Sequence, residues 1–170
     1  MESKRLDKIE YYLDIARTIS KRATCLRRRF GAVIVVNDQP VAQGYCGAPR
    51  GVKDCLEREM CMRQEANIPS GERYEFCRSV HAEKNAMINA ARAGVSIFGG
   101  DMYIWGFCKE TKKISTGYPC LMCLKESVNA GLKRIYYSLP GAKKGYEIIY
   151  LEGVVERWNE SDVKRLGDER

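Results

Sequence analysis

The sequence predicts a three-layer α/β/α domain on a mixed β-sheet, and three observations carry that prediction. An apolar, β-branched run at 30–36 turns at 37–40 and returns at 41–45, which reads as an early hairpin. After the hairpin, strand-like and helix-like stretches alternate, the pattern that lays helices over a sheet. The two stretches richest in metal-ligating side chains, at 81–83 and 119–123, each open a helix-like segment. A chain of 170 residues suits a single domain over 1–170 with one sizeable core.

Taken in order, Ile9, Tyr12, Leu13, Ala16 and Ile19 recur at helical spacing and predict an amphipathic first helix. Arg17, Lys21, Arg22, Arg27, Arg28 and Arg29 follow with no acid among them, which reads as a solvated face or as a phosphate-attracting one. The hairpin comes next, then "CGAPRG" at 46–51, a tight loop whose glycines let backbone approach a ligand closely. Residues 52–79 lack periodicity and carry Cys55, Cys61 and Cys77, so they form a cysteine-rich insertion with a short helix. A helix runs from His81 to near Gly94, a third strand covers 101–107, and a polar loop leads to Pro119. A further helix closes at Gly131 and a fourth strand follows at 133–138. Residues 146–153 read as a short helix, Val154–Val155 as an edge strand, and the charged tail from about Trp158 as peripheral.

Charge narrows the ligand. Twenty-nine Lys and Arg against 22 Asp and Glu leave a formal net charge of +7, which favours an anionic ligand, nucleotide or nucleic acid. No apolar run is long enough to span a bilayer, and the N-terminus has no signal-peptide core, so a cytoplasmic protein without membrane contact is expected. In that compartment eight cysteines point to metal or catalysis more than to disulfides.

The chemistry concentrates on four residues. His81 is the sole histidine, and Cys120 and Cys123 stand at the spacing with which two thiolates at a helix start hold one zinc ion. One imidazole and two thiolates make three protein ligands, the number a catalytic zinc site uses while keeping a fourth position open; a structural site closes with four. Glu83, two residues from the imidazole, is the spare acid or base. A lone Cys-x-x-Cys also fits a redox pair, and a lone histidine fits a packing role; it is their combination with Glu83 that points to catalysis. Cys25, Cys55, Cys61 and Cys77 are candidates for a second, structural zinc in or beside the insertion, with four free thiols as the alternative.

Between Cys25 and Tyr137 the stretches "CLRRRFGAVIV", "GYCGAPRG", "CRSVHAEKNAMINAAR" and "PCLMC" resemble the deoxycytidylate (dCMP) deaminase branch of the zinc-dependent cytidine deaminase superfamily. The resemblance implies a sheet of about five strands flanked by helices, with zinc held between two of them. It further implies a homo-oligomer, hexameric in many members, with dCTP and dTTP as effectors. The second zinc also has counterparts near these positions in some relatives. Two departures stand out. Cys46 replaces the asparagine that contacts the sugar in the family and offers only a weak hydrogen bond, and residues 105–118 lengthen the connection to Pro119.

The activity so implied is hydrolytic deamination of a cytosine deoxynucleotide, dCMP to dUMP plus ammonia, with no organic cofactor. Glu83 would shuttle the protons. The candidate substrate contacts are Cys46, Gly47, Arg50 and Ala82, with Arg27, Arg28 and Arg29 as further phosphate candidates. Asn85 and Asn89 read as helix surface or packing. A tRNA adenosine deaminase shares the zinc motifs and suits the positive charge, but "GYCGAPRG" and the insertion fit a free pyrimidine nucleotide better than a nucleic acid. A riboflavin-pathway deaminase would space its two cysteines further apart. A non-catalytic, zinc-stabilised nucleotide-binding protein would have no need of Glu83.

Overall fold

The computed structural model describes residues 5–69 and 71–161. Helix α1 (Lys8–Ser20) begins where the Asp7 carboxylate accepts a hydrogen bond from Ile9 N at 2.9 Å. Strands β1 (Arg28–Val36) and β2 (Gln39–Tyr45) form the expected hairpin. Asn37 and Asp38 turn it, both with positive φ, the two-residue turn whose twist matches that of the strands. Among its described residues the insertion holds α2 (Met62–Glu65) and a 3₁₀ turn at Tyr74–Phe76. Then come α3 (Ala82–Ala93), β3 (Asp101–Cys108), β4 (Lys113–Ser115), α4 (Leu121–Asn129), β5 (Arg134–Ser138), β6 (Tyr146–Tyr150) and α5 (Leu151–Glu160).

The sheet runs β2-β1-β3-β5-β6, with β4 beside β3. Only β3 and β5 are parallel, so the sheet is mixed. On one face α1 buries Tyr12, Leu13 and Ala16 against Val33, Val35, Tyr103 and Tyr136. On the other, α3, α4 and α5 bury Ala82, Ala86, Leu124 and Val154 against Ala32, Ile34, Met102, Ile104 and Ile135. These are the three layers the alternation of elements predicts. No helix among the described residues is long and apolar enough to cross a membrane.

Two glycines set how closely helices approach the hairpin. A Cβ on Gly31 would lie 2.5 Å from Ser20 N in α1. A Cβ on Gly44 would lie 2.8 Å from the Asn85 carbonyl carbon and nearer still to Ala82 O and Ala86 N. With hydrogen at both positions the helix backbones rest directly on the strands. Asn85 Nδ2 then donates to Tyr45 O at 2.8 Å, and Asn89 Nδ2 to Gln43 O at 2.6 Å, so the packing role expected of these asparagines is what they perform.

The C-terminal third corrects three expectations. Residues 146–150 are strand β6, not helix: Ile148 packs on the α1 side and Ile149 on the opposite side, the period of two that a strand imposes. Val154–Val155 lie in α5 rather than in an edge strand, with Val154 fully buried. Trp158 is not peripheral, since it packs against the larger core; the tail beyond residue 161 lies outside the described residues. The polar loop before Pro119 also holds a strand. β3 outruns β5, and its last residues Gly106, Phe107 and Cys108 pair with β4. Ser138 closes the gap: its Oγ accepts from Gly106 N at 3.1 Å and donates to Ser115 O at 3.0 Å.

Candidate active site

Two helix starts converge beside the ends of β3 and β5. His81 is the N-cap of α3 and Cys120 the N-cap of α4, with Cys123 in the first turn of α4. Both cap side chains turn towards a shared centre. α3 is held in place by Gly44 at its start and ends at Gly94, where Gly94 N and Val95 N bond Ala91 O and Ala90 O. α4 is placed by the short run from Gly117, whose N–H donates to Ser138 O at 2.7 Å.

At the meeting point His81 Nδ1 lies 3.4 Å from Cys120 Sγ and 3.4 Å from Cys123 Sγ. Among the described residues these three form the group of metal-ligating side chains whose donor atoms all lie within 4.8 Å of one another. The separations suit a small tetrahedral ion: with zinc bonds near 2.0–2.1 Å to nitrogen and 2.3 Å to sulfur, neighbouring donors stand about 3.5 Å apart. Three donors leave one position open.

The electrostatics favour a metal. The Cys123 thiol donates to Cys120, and this bond, with His81 adding to it against burial, pulls the Cys120 thiol well below its ordinary value. The same bond, together with burial, pushes Cys123 up. The positive ends of α3 and α4 help to hold the Cys120 thiolate. Burial alone would lower the His81 imidazole; its bond to Cys120 and the charges of Glu83 and Cys120 carry it above its ordinary value. Glu83 is 6 % exposed, and its burial raises the carboxyl above the usual carboxylate range, with His81 partly offsetting this. A carboxyl so placed both holds and releases a proton nearer neutrality.

A cavity of about 460 Å³ opens over this cluster, with His81, Glu83 and Cys120 in its wall. Of the other candidates, Cys46 and Ala82 line it, whereas Gly47 and Arg50 are not among its lining residues. Gly47 forms a two-way backbone bridge with Val80, and Arg50 donates to Asn89 Oδ1 at 2.7 Å. The Cys46 sulfur accepts from Phe30 N at 3.2 Å and lies 3.4 Å from Arg28 O; burial pushes its thiol up to about 12. Arg27 and Arg28 line the cavity and Arg29 does not. Cys25, Cys61 and Cys77 share the cavity wall, and Cys55 is buried within electrostatic reach of all three. Two lining residues, Arg63 and Tyr74, were not legible as site residues, because both lie in the aperiodic insertion.

Comparison with known proteins agrees with this geometry. Residues 6–139 match the family model described as the cytidine and deoxycytidylate deaminase zinc-binding region. The deoxycytidylate deaminase of Mycobacterium phage D29 is 30% identical over 138 residues, covering 78% of this chain and 95% of that protein. The deoxycytidylate deaminase of Schizosaccharomyces pombe is 32% identical over 127 residues, covering 75% of this chain. This chain spans only about a third of that relative's length, 35%. Among solved structures, the dCMP deaminase from the cyanophage S-TIM5 in complex with dCMP and dUMP superimposes with a TM-score of 0.57 at 25% identity, over 78% of this chain and 82% of that one. With the matched region spanning the first hairpin, both zinc-ligand motifs and the parallel pair β3 and β5, this chain belongs to the cytidine and deoxycytidylate deaminase family.

Proposed function

We propose that this chain is a hydrolase acting on the C–N bond of a cyclic amidine, converting dCMP and water to dUMP and ammonia. The observation that carries the reading is the buried carboxyl of Glu83 beside three convergent metal donors, under a cavity whose charged lining is otherwise Arg27, Arg28 and Arg63. His81, Cys120 and Cys123 would hold zinc, which when bound supplies Lewis-acid activation of water near neutral pH. Glu83 takes the proton from the attacking water at its carboxylate oxygen and delivers it to N3 of the cytosine ring. Glu83 then takes the remaining water proton from the hydroxyl on C4 and gives it to the amino group, so that the C4–N bond breaks, ammonia leaves and the C4 carbonyl forms. The burial that raises Glu83 suits a group that must hold a proton between the two transfers.

Arg27 and Arg28 suit a nucleotide phosphate better than Arg50, since they line the cavity and Arg50 does not. Cys46 is committed to the β1 backbone, which supports weak discrimination between ribose and deoxyribose. A second, structural zinc on Cys25, Cys55, Cys61 and Cys77, no three of whose sulfurs lie within 4.8 Å of one another, is tested by metal content of two ions per chain that falls to one in Cys55→Ser/Cys61→Ser. Eight free thiols suit a reducing, cytoplasmic setting. A hexamer regulated by dCTP and dTTP rests on family resemblance; exposed Phe98 and Tyr150 are compatible with self-association.

The test is ammonia release across dCMP, CMP, dCTP, deoxycytidine, cytidine and an adenosine-containing tRNA anticodon stem. Preference for dCMP over deoxycytidine, narrowing as salt screens the phosphate, is the expected result. Inosine formation in the RNA with no ammonia from dCMP would overturn it.

A further inference from the structure

The insertion does more than lengthen the chain. It brings one aromatic ring against a metal ligand. Tyr74 and His81 meet with ring centroids 5.0 Å apart and planes at 85°. A metal-ligating histidine ordinarily has its second ring nitrogen held by a carboxylate, a carbonyl or water, which fixes the plane of the ring. Here Nδ1 faces the two sulfurs. The ring of Tyr74 packs edge-on against the imidazole, a contact that sets the plane of its ring.

Tyr74 is itself fixed. The Arg63 guanidinium lies over its ring, 5.0 Å from the centroid. Arg63 is 7 % exposed, and its terminal nitrogen donates to Pro69 O at 2.5 Å and to Glu72 O at 2.6 Å. These bonds tie α2 to the chain that enters the 3₁₀ turn, where Arg73 takes a left-handed φ of 46°. Cys77 N then bonds Tyr74 O at 2.9 Å. The Val80–Gly47 bridge, 3.2 and 2.8 Å, fixes the far end of the insertion one residue before His81.

Resting on the reading of His81, Cys120 and Cys123 as the zinc ligands, we propose that Tyr74 is a positioning residue, holding the His81 imidazole in its metal-binding orientation, with Arg63 as the clamp that holds Tyr74. The insertion is then part of the metal centre. The aromatic ring does the work and the hydroxyl does not, so phenylalanine substitutes for tyrosine and an aliphatic residue of similar bulk does not.

The experiment measures Zn²⁺ affinity of the metal-free full chain by competition with a chromophoric chelator, for wild type, Tyr74→Phe, Tyr74→Leu and Arg63→Lys. His81→Ala identifies which binding phase belongs to this site. Tyr74→Phe should bind like wild type. Tyr74→Leu should lose about 10–100-fold in affinity at that phase, the loss expected when a ligand-orienting partner is removed. Arg63→Lys, which keeps the charge but not the fork, should shift in the same direction by less. Thermal melts of the metal-free proteins separate this from unfolding, because a merely structural Tyr74 would lower the melting temperature in Tyr74→Leu and leave the affinity of the folded chain unchanged. Equal affinity in wild type and folded Tyr74→Leu overturns the proposal alone. A wild-type chain with no phase abolished by His81→Ala overturns the zinc reading and the proposal with it.

Discussion

Gly44→Ala is the smallest change that should disable the site from outside it. The new Cβ would stand 2.8 Å from the Asn85 carbonyl carbon and nearer to Ala82 O and Ala86 N, whereas ordinary contact begins near 3.4 Å. All three atoms are backbone of α3, so no side chain can rotate out of the way. α3 must therefore retreat from β2 by more than about half an ångström, the scale at which overpacking costs about 1–3 kcal/mol. The retreat stretches the Asn85–Tyr45 and Asn89–Gln43 bonds, now 2.8 and 2.6 Å, and carries His81 and Glu83 away from Cys120 and Cys123. Metal sites tolerate displacements of about 0.2 Å in their bonds, and a misplacement of about 1 Å costs reactions on the order of 10²-fold. The expected outcome is a lower melting temperature together with weaker zinc binding and at least tenfold lower turnover. Chelator competition and a thermal melt read the first two, and a dCMP deamination assay reads the third. Wild-type stability and zinc affinity in Gly44→Ala would refute the claim that this close approach sets the site.

Other outcomes follow from the same geometry. Ser138→Ala strips a partner from both Gly106 N–H and Ser115 O, and leaving such groups unsatisfied should cost about 1–3 kcal/mol in urea unfolding; an unchanged midpoint would show that β4 does not depend on Ser138. The Tyr12 hydroxyl donates to Asp38 Oδ1 at 2.8 Å, and burial first, then Asp38, raises its pKa from 10.0 to about 12. A raised folded-state value means that its contribution to stability is complete below pH 10 and is lost as pH rises through about 12. Melting temperature should accordingly fall across that window, and by less in Tyr12→Phe; identical alkaline profiles would exclude Tyr12 as a source of the decline.

Much of the fold was legible because its signals were local. The β-branched run at 30–36 and the turn at Asn37–Asp38 identify the hairpin, and periodicity identifies α1 and α3. The convergence of His81, Cys120 and Cys123 was legible because these residue types are chemically restrictive: one histidine and one Cys-x-x-Cys leave few ways to build a site. What local signals could not give was anything decided by a distant partner. Residues 146–150 become a strand because the edge of β5 is open to them, while Leu151 and Val154 continue as helix because α5 has a core to cover. Three-residue β4 exists through Ser138, and nothing in its own composition announces it. Arg50 stands in a loop that reads as ligand-binding, yet Asn89, 39 residues away, takes its guanidinium. Tyr74 sits seven positions before His81 in a stretch without periodicity, and only the folded insertion reveals the contact.

The central claim is that Glu83 moves the protons in a zinc-dependent cytosine deamination. Glu83→Gln keeps the size and burial of the side chain while removing its capacity to shuttle a proton. The most direct measurement is single-turnover formation of dUMP from dCMP by wild type and Glu83→Gln, with zinc content determined on the same samples. Zinc content should match wild type, and the rate should fall by at least about 10²–10⁴-fold, the contribution of general acid–base catalysis alone. A well-folded, zinc-replete Glu83→Gln protein that forms dUMP at a near wild-type rate would contradict it.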